Sequence, residues 1–167
     1  WLEGDARLWH LQPRVNLLRE QVRLAQQQKL GGVLAIHWRT EEIRANLDSF
    51  ARFAADPSSA PSVEEFYRRD CEEQFGRDAA QEVAGILIPF DVEQSMATES
   101  PEYLPYDPRW GRLSTVLRKR VLEGFAATRR LAGTAKDARH QANLNWLADN
   151  VEFTLLLDEV GRKIEPA

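Results

Sequence analysis

The chain has 167 residues, of which 43% are hydrophobic and 29% are charged, a composition that fits one globular domain or part of a larger one. The net charge of −4 disfavours general nucleic-acid binding, and no apolar run is long enough to span a membrane. The single cysteine, Cys71, excludes an internal disulfide, and we interpret it as a buried structural thiol; the cellular compartment stays open.

The chain begins with Trp1-Leu2, without an initiator Met or a leader, and an apolar pair is an unusual exposed end. We therefore expect the sequence to be a piece of a longer protein. The first predicted element is an amphipathic helix over residues 12–29, since apolar residues recur at steps of three and four from Val15 to Val22. Gly31 and Gly32 are expected to end it.

Residues 33–38 read Val-Leu-Ala-Ile-His-Trp and form the only strand that the sequence predicts. The segment is apolar on both faces, which is typical of a strand buried in a parallel sheet between helices. Its backbone needs partners, and the first few residues of the chain are the best internal candidate. Thr40 is predicted to cap the next helix, which buries Ile43, Leu47, Phe50 and Ala54 and ends at Asp56-Pro57.

The sequence changes character after residue 57. A linker precedes Ser62, which begins a capping box and a helix that ends at Gly76. We predict a short helix over 77–87, an irregular segment over 88–111, a helix over 113–131 broken at Gly133, and a last helix over 134–164. The fold class is therefore mostly α, with a β–α–β–α segment over 1–57 and a C-terminal helical domain over 58–167.

The most informative residues for function are His37, Trp38, Arg39 and Glu41, where the predicted strand meets the following helix. In parallel α/β folds, this end of the strands carries the ligand site. An indole face stacks on a pyranose ring, and the other three side chains hydrogen-bond to hydroxyl groups. The alternative is structural, with Trp38 and His37 in the core and Arg39 paired with a nearby acid.

Glu3 and Asp5 form a second cluster, because alternate residues of an extended segment point to the same side. Cleavage of a glycosidic bond requires two carboxyl groups, one as proton donor and one as nucleophile or base. The alternative is an exposed acidic end. Residues 1–5, helix 12–29 and strand 33–38 have the spacing of a β–α–β unit, which places both clusters at one rim.

The sequence predicts no metal and no cofactor. The imidazoles of His10, His37 and His140 lack the spacing of known ligand motifs, and no phosphate-binding glycine pattern is present.

A family resemblance is carried by residues 32–43 (Gly-Val-Leu-Ala-Ile-His-Trp-Arg-Thr-Glu-Glu-Ile), by residues 46–57 and by Phe75-Gly76-Arg77-Asp78-Ala79-Ala80. This order resembles the end of a (β/α)8-barrel glycoside hydrolase. A similar order of segments recurs in bacterial exo-acting enzymes related to the β-hexosaminidase, α-glucuronidase and α-N-acetylglucosaminidase groups. The likeness covers about residues 1–85, and it departs from the pattern at Ala55, where these enzymes often have Trp.

The resemblance implies that residues 1–5 end the seventh barrel strand, that residues 33–38 are the eighth, and that the rest is a helical domain beside the barrel. It implies a carbohydrate substrate, with Trp38 as the floor of a sugar subsite and Glu3 or Asp5, His37 and Arg39 as rim contacts. The partner would be the remainder of the barrel, upstream of Trp1. The resemblance places the family's acid and base residues on those earlier strands, so Glu3 and Asp5 are candidate catalytic residues and the fragment alone is not expected to be active.

An alternative from another class is a non-catalytic helical module that binds a partner protein through the last two helices and residues 89–111. That alternative predicts that residues 33–38 are buried in a helical core.

Overall fold

A computed structural model describes residues 2, 11–37, 43–96 and 113–163, with only the backbone described for 93–96. These residues form six α-helices: α1 (Val15–Gln27), α2 (Arg44–Ala55), α3 (Val63–Phe75), α4 (Arg77–Met96), α5 (Thr115–Thr134) and α6 (Ala138–Lys163). No strand occurs within these described ranges. The prediction of a mostly helical fold is therefore confirmed.

Helices α3 and α4 form a hairpin with a one-residue connection at Gly76. The predicted cap at the start of α3 is confirmed, because the N–H of Glu65 donates to Ser62 Oγ at 3.1 Å. Gly76 has a φ of +85°, and a Cβ at this position would lie 2.8 Å from Nδ1 of His140. Glycine is required here by both the backbone conformation and the close approach of α6.

Helix α4 is longer than predicted. It continues to Met96, so the expected irregular structure at 88–96 is wrong, while residues 97–112 lie outside the described part of the chain. Pro89 sits inside the helix, where its ring faces the carbonyl of the residue four positions earlier. That residue is Gly85, whose carbonyl receives no helical hydrogen bond from position 89 because proline has no N–H. The buried side chains of Leu87 and Phe90 on either side of Pro89 hold the helix in the core.

Helices α5 and α6 form a second, antiparallel hairpin. Leu144, Leu147, Val151, Leu155 and Asp158, which recur at helical spacing in the sequence, all lie on the buried face of α6. Gly133 does not break α5, which ends one residue later. Asp158 is fully buried and accepts hydrogen bonds from the N–H of Leu113 (2.9 Å) and from Nε of Arg118 (2.7 Å). It therefore joins the start of α5 to the end of α6.

Helix α2 differs from its prediction in two ways. It begins at Arg44 with Ile43 as the N-cap residue and no side-chain cap, so the predicted cap at Thr40, itself outside the described residues, is wrong. Its fully buried residues are Asn46, Ser49 and Phe53. Of the predicted apolar residues, Ile43 is buried, Leu47 and Phe50 are half-buried, and Ala54 is exposed. Phe53 joins the main hydrophobic core, which also contains residues of α1, α3, α4, α5 and α6.

The predicted strand is the largest difference. Residues 33–37 are extended without forming a strand, and three of them are exposed apolar side chains: Val33 (38%), Leu34 (86%) and Ile36 (38%). Within the described residues, the segment receives one backbone hydrogen bond, from the N–H of Leu2 to the carbonyl of Ile36 at 2.9 Å. A strand buried on both faces needs a partner on each edge, and the described chain supplies a single contact.

Candidate functional site

The structure describes one of the six residues predicted to form the sugar-binding rim. His37 is exposed at the end of the extended segment 33–37. Glu3, Asp5, Trp38, Arg39 and Glu41 lie outside the described residues. The roles of all six therefore stay predictions. The described residues on either side of 3–10 and 38–42 show which parts of the fold these two segments connect.

Those flanking residues meet at the side chain of Asn46, in the first turn of α2. Its amide nitrogen donates to the carbonyls of Leu2 and Gln12, both at 2.8 Å. Its amide oxygen accepts from the N–H of Arg14 at 2.9 Å. Leu2 in turn donates to Ile36. The buried Asn46 side chain thus links Leu2 and Gln12, which lie before and after residues 3–10, to α2, which follows residues 38–42.

A cavity of about 420 Å³ opens beside Asn46, a size within the range of about 300–1,000 Å³ that is usual for small-molecule sites. Its described walls come from the segment before α1, the start of α2, the end of α3 and the first half of α6. The apolar side chains in these walls are Leu11, Pro13, Ile43, Ala45, Phe75, Leu87, Trp146 and Leu147.

The polar part of the cavity wall is built around Arg44. One guanidinium nitrogen lies 2.7 Å from Oδ1 of Asp70, and the other lies 3.2 Å from Oδ2 of Asp48. The amide of Gln74, with its oxygen toward Arg44, accepts from both nitrogens at 2.7 and 3.2 Å. These bonds fix the guanidinium in one orientation, because an Arg fork is rigid and planar.

Asp70 is the most buried charged group in this wall, with a side chain only 10% exposed. Burial raises its pKa above the usual value for a carboxyl, although the neighbouring Arg44 acts in the opposite direction. Arg44 bonds to Oδ1, and no described group donates to Oδ2. One carboxylate oxygen at the cavity wall is therefore available to accept a hydrogen bond.

The opposite wall is formed by α6. Nδ2 of Asn143 donates to the backbone carbonyl of Gln74 at 2.8 Å, which fixes the amide between α3 and α6. One turn further along, Trp146 is 39% exposed, with its indole at the cavity. Arg139 and Glu73, both exposed, complete the mouth.

Sequence reasoning missed this cavity. Arg44 and Asp70 are 26 positions apart, and nothing local signals that they meet. Trp146 gave the one usable signal, because it falls beside the apolar positions Leu144 and Leu147 and cannot share their buried face fully. An aromatic residue off the core face of an amphipathic helix is a reasonable indicator of a surface site.

The other buried polar groups have structural partners. Tyr67 donates to Oδ2 of Asp91 at 2.9 Å, and burial raises the pKa of its hydroxyl well above the usual value. Oδ2 of Asp91 also accepts from the N–H of Asn16 at 2.9 Å, which joins α1 to α4. Cys71 is buried as predicted, and burial raises the pKa of its thiol. A thiol in that state is a poor nucleophile.

In the part of the chain that the structure describes, no three His, Cys, Asp or Glu side chains are grouped to hold a metal ion. Among the described helices, none combines the length and the apolar character needed to cross a bilayer. Comparison of the chain with protein families, with curated proteins and with solved structures found no match.

Proposed function

We propose that this chain is the end of a glycoside hydrolase barrel with its C-terminal helical domain, and that it supplies the sugar-binding rim His37, Trp38, Arg39 and Glu41. In this proposal residues 33–38 are the last barrel strand. Glu3 and Asp5 lie on the same rim, and the remainder of the barrel supplies the principal catalytic carboxyl groups. The substrate is a carbohydrate, and no cofactor is required.

The observation that carries the proposal is the exposure of the extended segment. Val33, Leu34 and Ile36 present apolar side chains to solvent, and the backbone of this segment has one described hydrogen bond. Soluble proteins protect such segments, because an apolar strand with an open edge pairs with another strand. Neighbouring barrel strands would cover both the side chains and the backbone.

The contacts of Asn46 support the placement of the rim. The two predicted clusters lie in segments whose described ends are held together by this one side chain and by the Leu2–Ile36 hydrogen bond. If Leu2 and Ile36 belong to adjacent strands, the residues that follow each of them emerge at the same end of the sheet. There an indole and several hydrogen-bonding side chains suit a pyranose ring.

Substitution of Trp38 tests the proposal. In the protein that contains the whole barrel, Trp38→Ala should abolish binding of the sugar product at the rim, because the stacking floor of that subsite is lost. The circular dichroism of the helical bundle formed by 62–163 should be unchanged. The matched control is Phe153→Ala, which removes an exposed aromatic side chain from α6. Unchanged sugar affinity in Trp38→Ala would overturn the subsite assignment.

The alternative of a helical interaction module is favoured by one observation. Phe153, Leu156 and Val160 are exposed apolar residues at steps of three and four on α6, on the side opposite its buried face. Such a stripe is a typical binding face for another helix. Its prediction that residues 33–38 are buried in a helical core disagrees with the exposure of Val33, Leu34 and Ile36, although Ala35 is half-buried. Loss of partner binding in Leu156→Ser would support the module.

A further inference from the structure

We propose that the cavity between α2, α3 and α6 binds a neutral, polyhydroxylated ring of monosaccharide size, with the ring against Trp146 and a hydroxyl group donating to Asp70. This inference goes beyond the proposed function, because it concerns a second site, built from the helices and independent of the rim at Trp38.

The first argument is the unused hydrogen-bonding capacity of the wall. Oδ2 of Asp70 has no described donor, although the side chain is nine-tenths buried. A buried carboxylate oxygen without a partner costs free energy, so a ligand that donates to it gains that interaction on binding. Oδ1 of Asn143 and the indole N–H of Trp146 have no described partner either. The open groups are thus two acceptors and one donor, and hydroxyl groups satisfy both kinds.

The second argument is charge. Among its described lining residues, the cavity has two cations, Arg44 and Arg139, and two carboxylates, Asp70 and Glu73. The guanidinium of Arg44 is already engaged by Asp70, Asp48 and Gln74, so it does not offer its charge to an anion. The charges of the described lining residues balance, so a phosphate gains no selective attraction there. An uncharged ligand with many hydroxyl groups fits this balance.

The third argument is shape. One wall is apolar, with Trp146 and Leu147 on α6 and Phe75 at the end of α3, whereas the polar groups gather around Arg44 and Asp70. A pyranose has the same division, with C–H groups on its faces and hydroxyl groups on its edge. Aromatic side chains contribute large contact areas at a low cost in conformational entropy, and a half-exposed indole is a ready platform.

Nuclear magnetic resonance on the 167-residue chain tests the proposal, with methyl β-D-glucopyranoside and methyl N-acetyl-β-D-glucosaminide as probes. The indole N–H of Trp146 and the side-chain amide of Asn143 should shift on addition of at least one of them. A fully O-methylated glucoside should bind about tenfold more weakly, because it has no hydroxyl to donate to Asp70. Absence of any shift with both probes at tens of millimolar sugar would overturn the proposal.

Variants separate the site from the rest of the surface. Trp146→Ala should weaken binding about tenfold or more, whereas Phe153→Ala, which removes an equally exposed aromatic side chain two turns along α6, should leave Kd unchanged. If Trp146→Ala unfolds, Trp146→Leu keeps the apolar contact and removes only the stacking face. Equal effects of the two alanine variants would refute the site.

The rim and the cavity can fail separately. Trp38→Ala should leave binding at the cavity unchanged, because no described contact of the cavity requires that residue. Loss of cavity binding in Trp38→Ala with no effect of Trp146→Ala would refute the second site while leaving the proposed rim intact.

Discussion

The side chain of Asn46 offers the sharpest test of how the fold is held together. Asn46→Ala removes three hydrogen bonds at once, to the carbonyls of Leu2 and Gln12 and to the N–H of Arg14. Removing one partner of a buried hydrogen bond costs about 1–3 kcal/mol. Water that enters the vacated space recovers part of this loss. We therefore expect a destabilisation of about 3–5 kcal/mol, a large share of the total of about 5–15 kcal/mol typical of a domain.

Urea unfolding monitored by circular dichroism measures this change, and amide hydrogen exchange locates it. The N–H of Arg14 should exchange faster in Asn46→Ala than the global loss of stability explains, because its acceptor is gone. The matched control is Asn145→Ala, which makes the same chemical change at an exposed position of α6. It should alter stability by less than about 0.5 kcal/mol.

A second variant separates the loss of the two donated bonds from the loss of side-chain volume. Asn46→Asp keeps an acceptor for Arg14 but directs a carboxylate at the carbonyls of Leu2 and Gln12. It should be as unstable as Asn46→Ala at neutral pH and should regain stability as the pH falls and the new carboxyl becomes protonated, because it can then donate to one carbonyl. Equal losses of less than about 1 kcal/mol in Asn46→Ala and Asn145→Ala would refute the reasoning.

Three further predictions concern the helical bundle. Gly76→Ala should destabilise the protein by about 1–3 kcal/mol in urea unfolding, since the new Cβ meets His140 in a backbone conformation reserved for glycine; wild-type stability would contradict that conformation. Tyr67→Phe should lower the free energy of unfolding by about 1.5–3 kcal/mol in the same assay, because the carboxylate of Asp91 loses the hydrogen bond that the Tyr67 hydroxyl donates to it. Asp158→Asn should flatten the acid limb of the stability curve. Although burial raises the pKa of Asp158, hydrogen bonds from Arg162, the N–H of Leu113 and Arg118 hold that pKa below its usual value. The contribution of Asp158 to stability is therefore complete above about pH 5 and is lost as the pH falls through the lowered pKa. An unchanged slope between about pH 5 and pH 2 would show that these bonds do not stabilise the folded state.

Local signals in the sequence predicted local structure well. Ser62 and Gly76 were identified as the two ends of α3 because a hydroxyl cap and a left-handed glycine act within a few residues of themselves. The spacing of apolar residues along α6 indicated which face of the helix is buried. Asp158 lies on that face, and its carboxylate is stabilised there by hydrogen bonds from Arg118 and Arg162. Such features depend on neighbours along the chain, which the sequence displays directly.

The failures have a common cause, which is dependence on distant residues. The apolar pattern of 33–38 predicts what the segment prefers, but a strand forms only where partners are present, and the described chain offers Leu2 alone. Helix α4 was expected to end at residue 87 and continues through Pro89, because the flanking side chains Leu87 and Phe90 are buried in the core. The meeting of Arg44 with Asp70 is likewise a consequence of how α2 packs on α3.

The one-residue connection at Gly76 also limits how this protein can vary in length. Each residue added to a helix end rotates everything beyond it by about 100°. An insertion between α3 and α4 would therefore turn Asp91 away from Tyr67 and move the positions facing α6. Residues 56–61 join α2 to α3 without any helix and face no such constraint. Natural variants should therefore differ in length at 56–61 and keep the spacing from Phe75 to Arg77 unchanged.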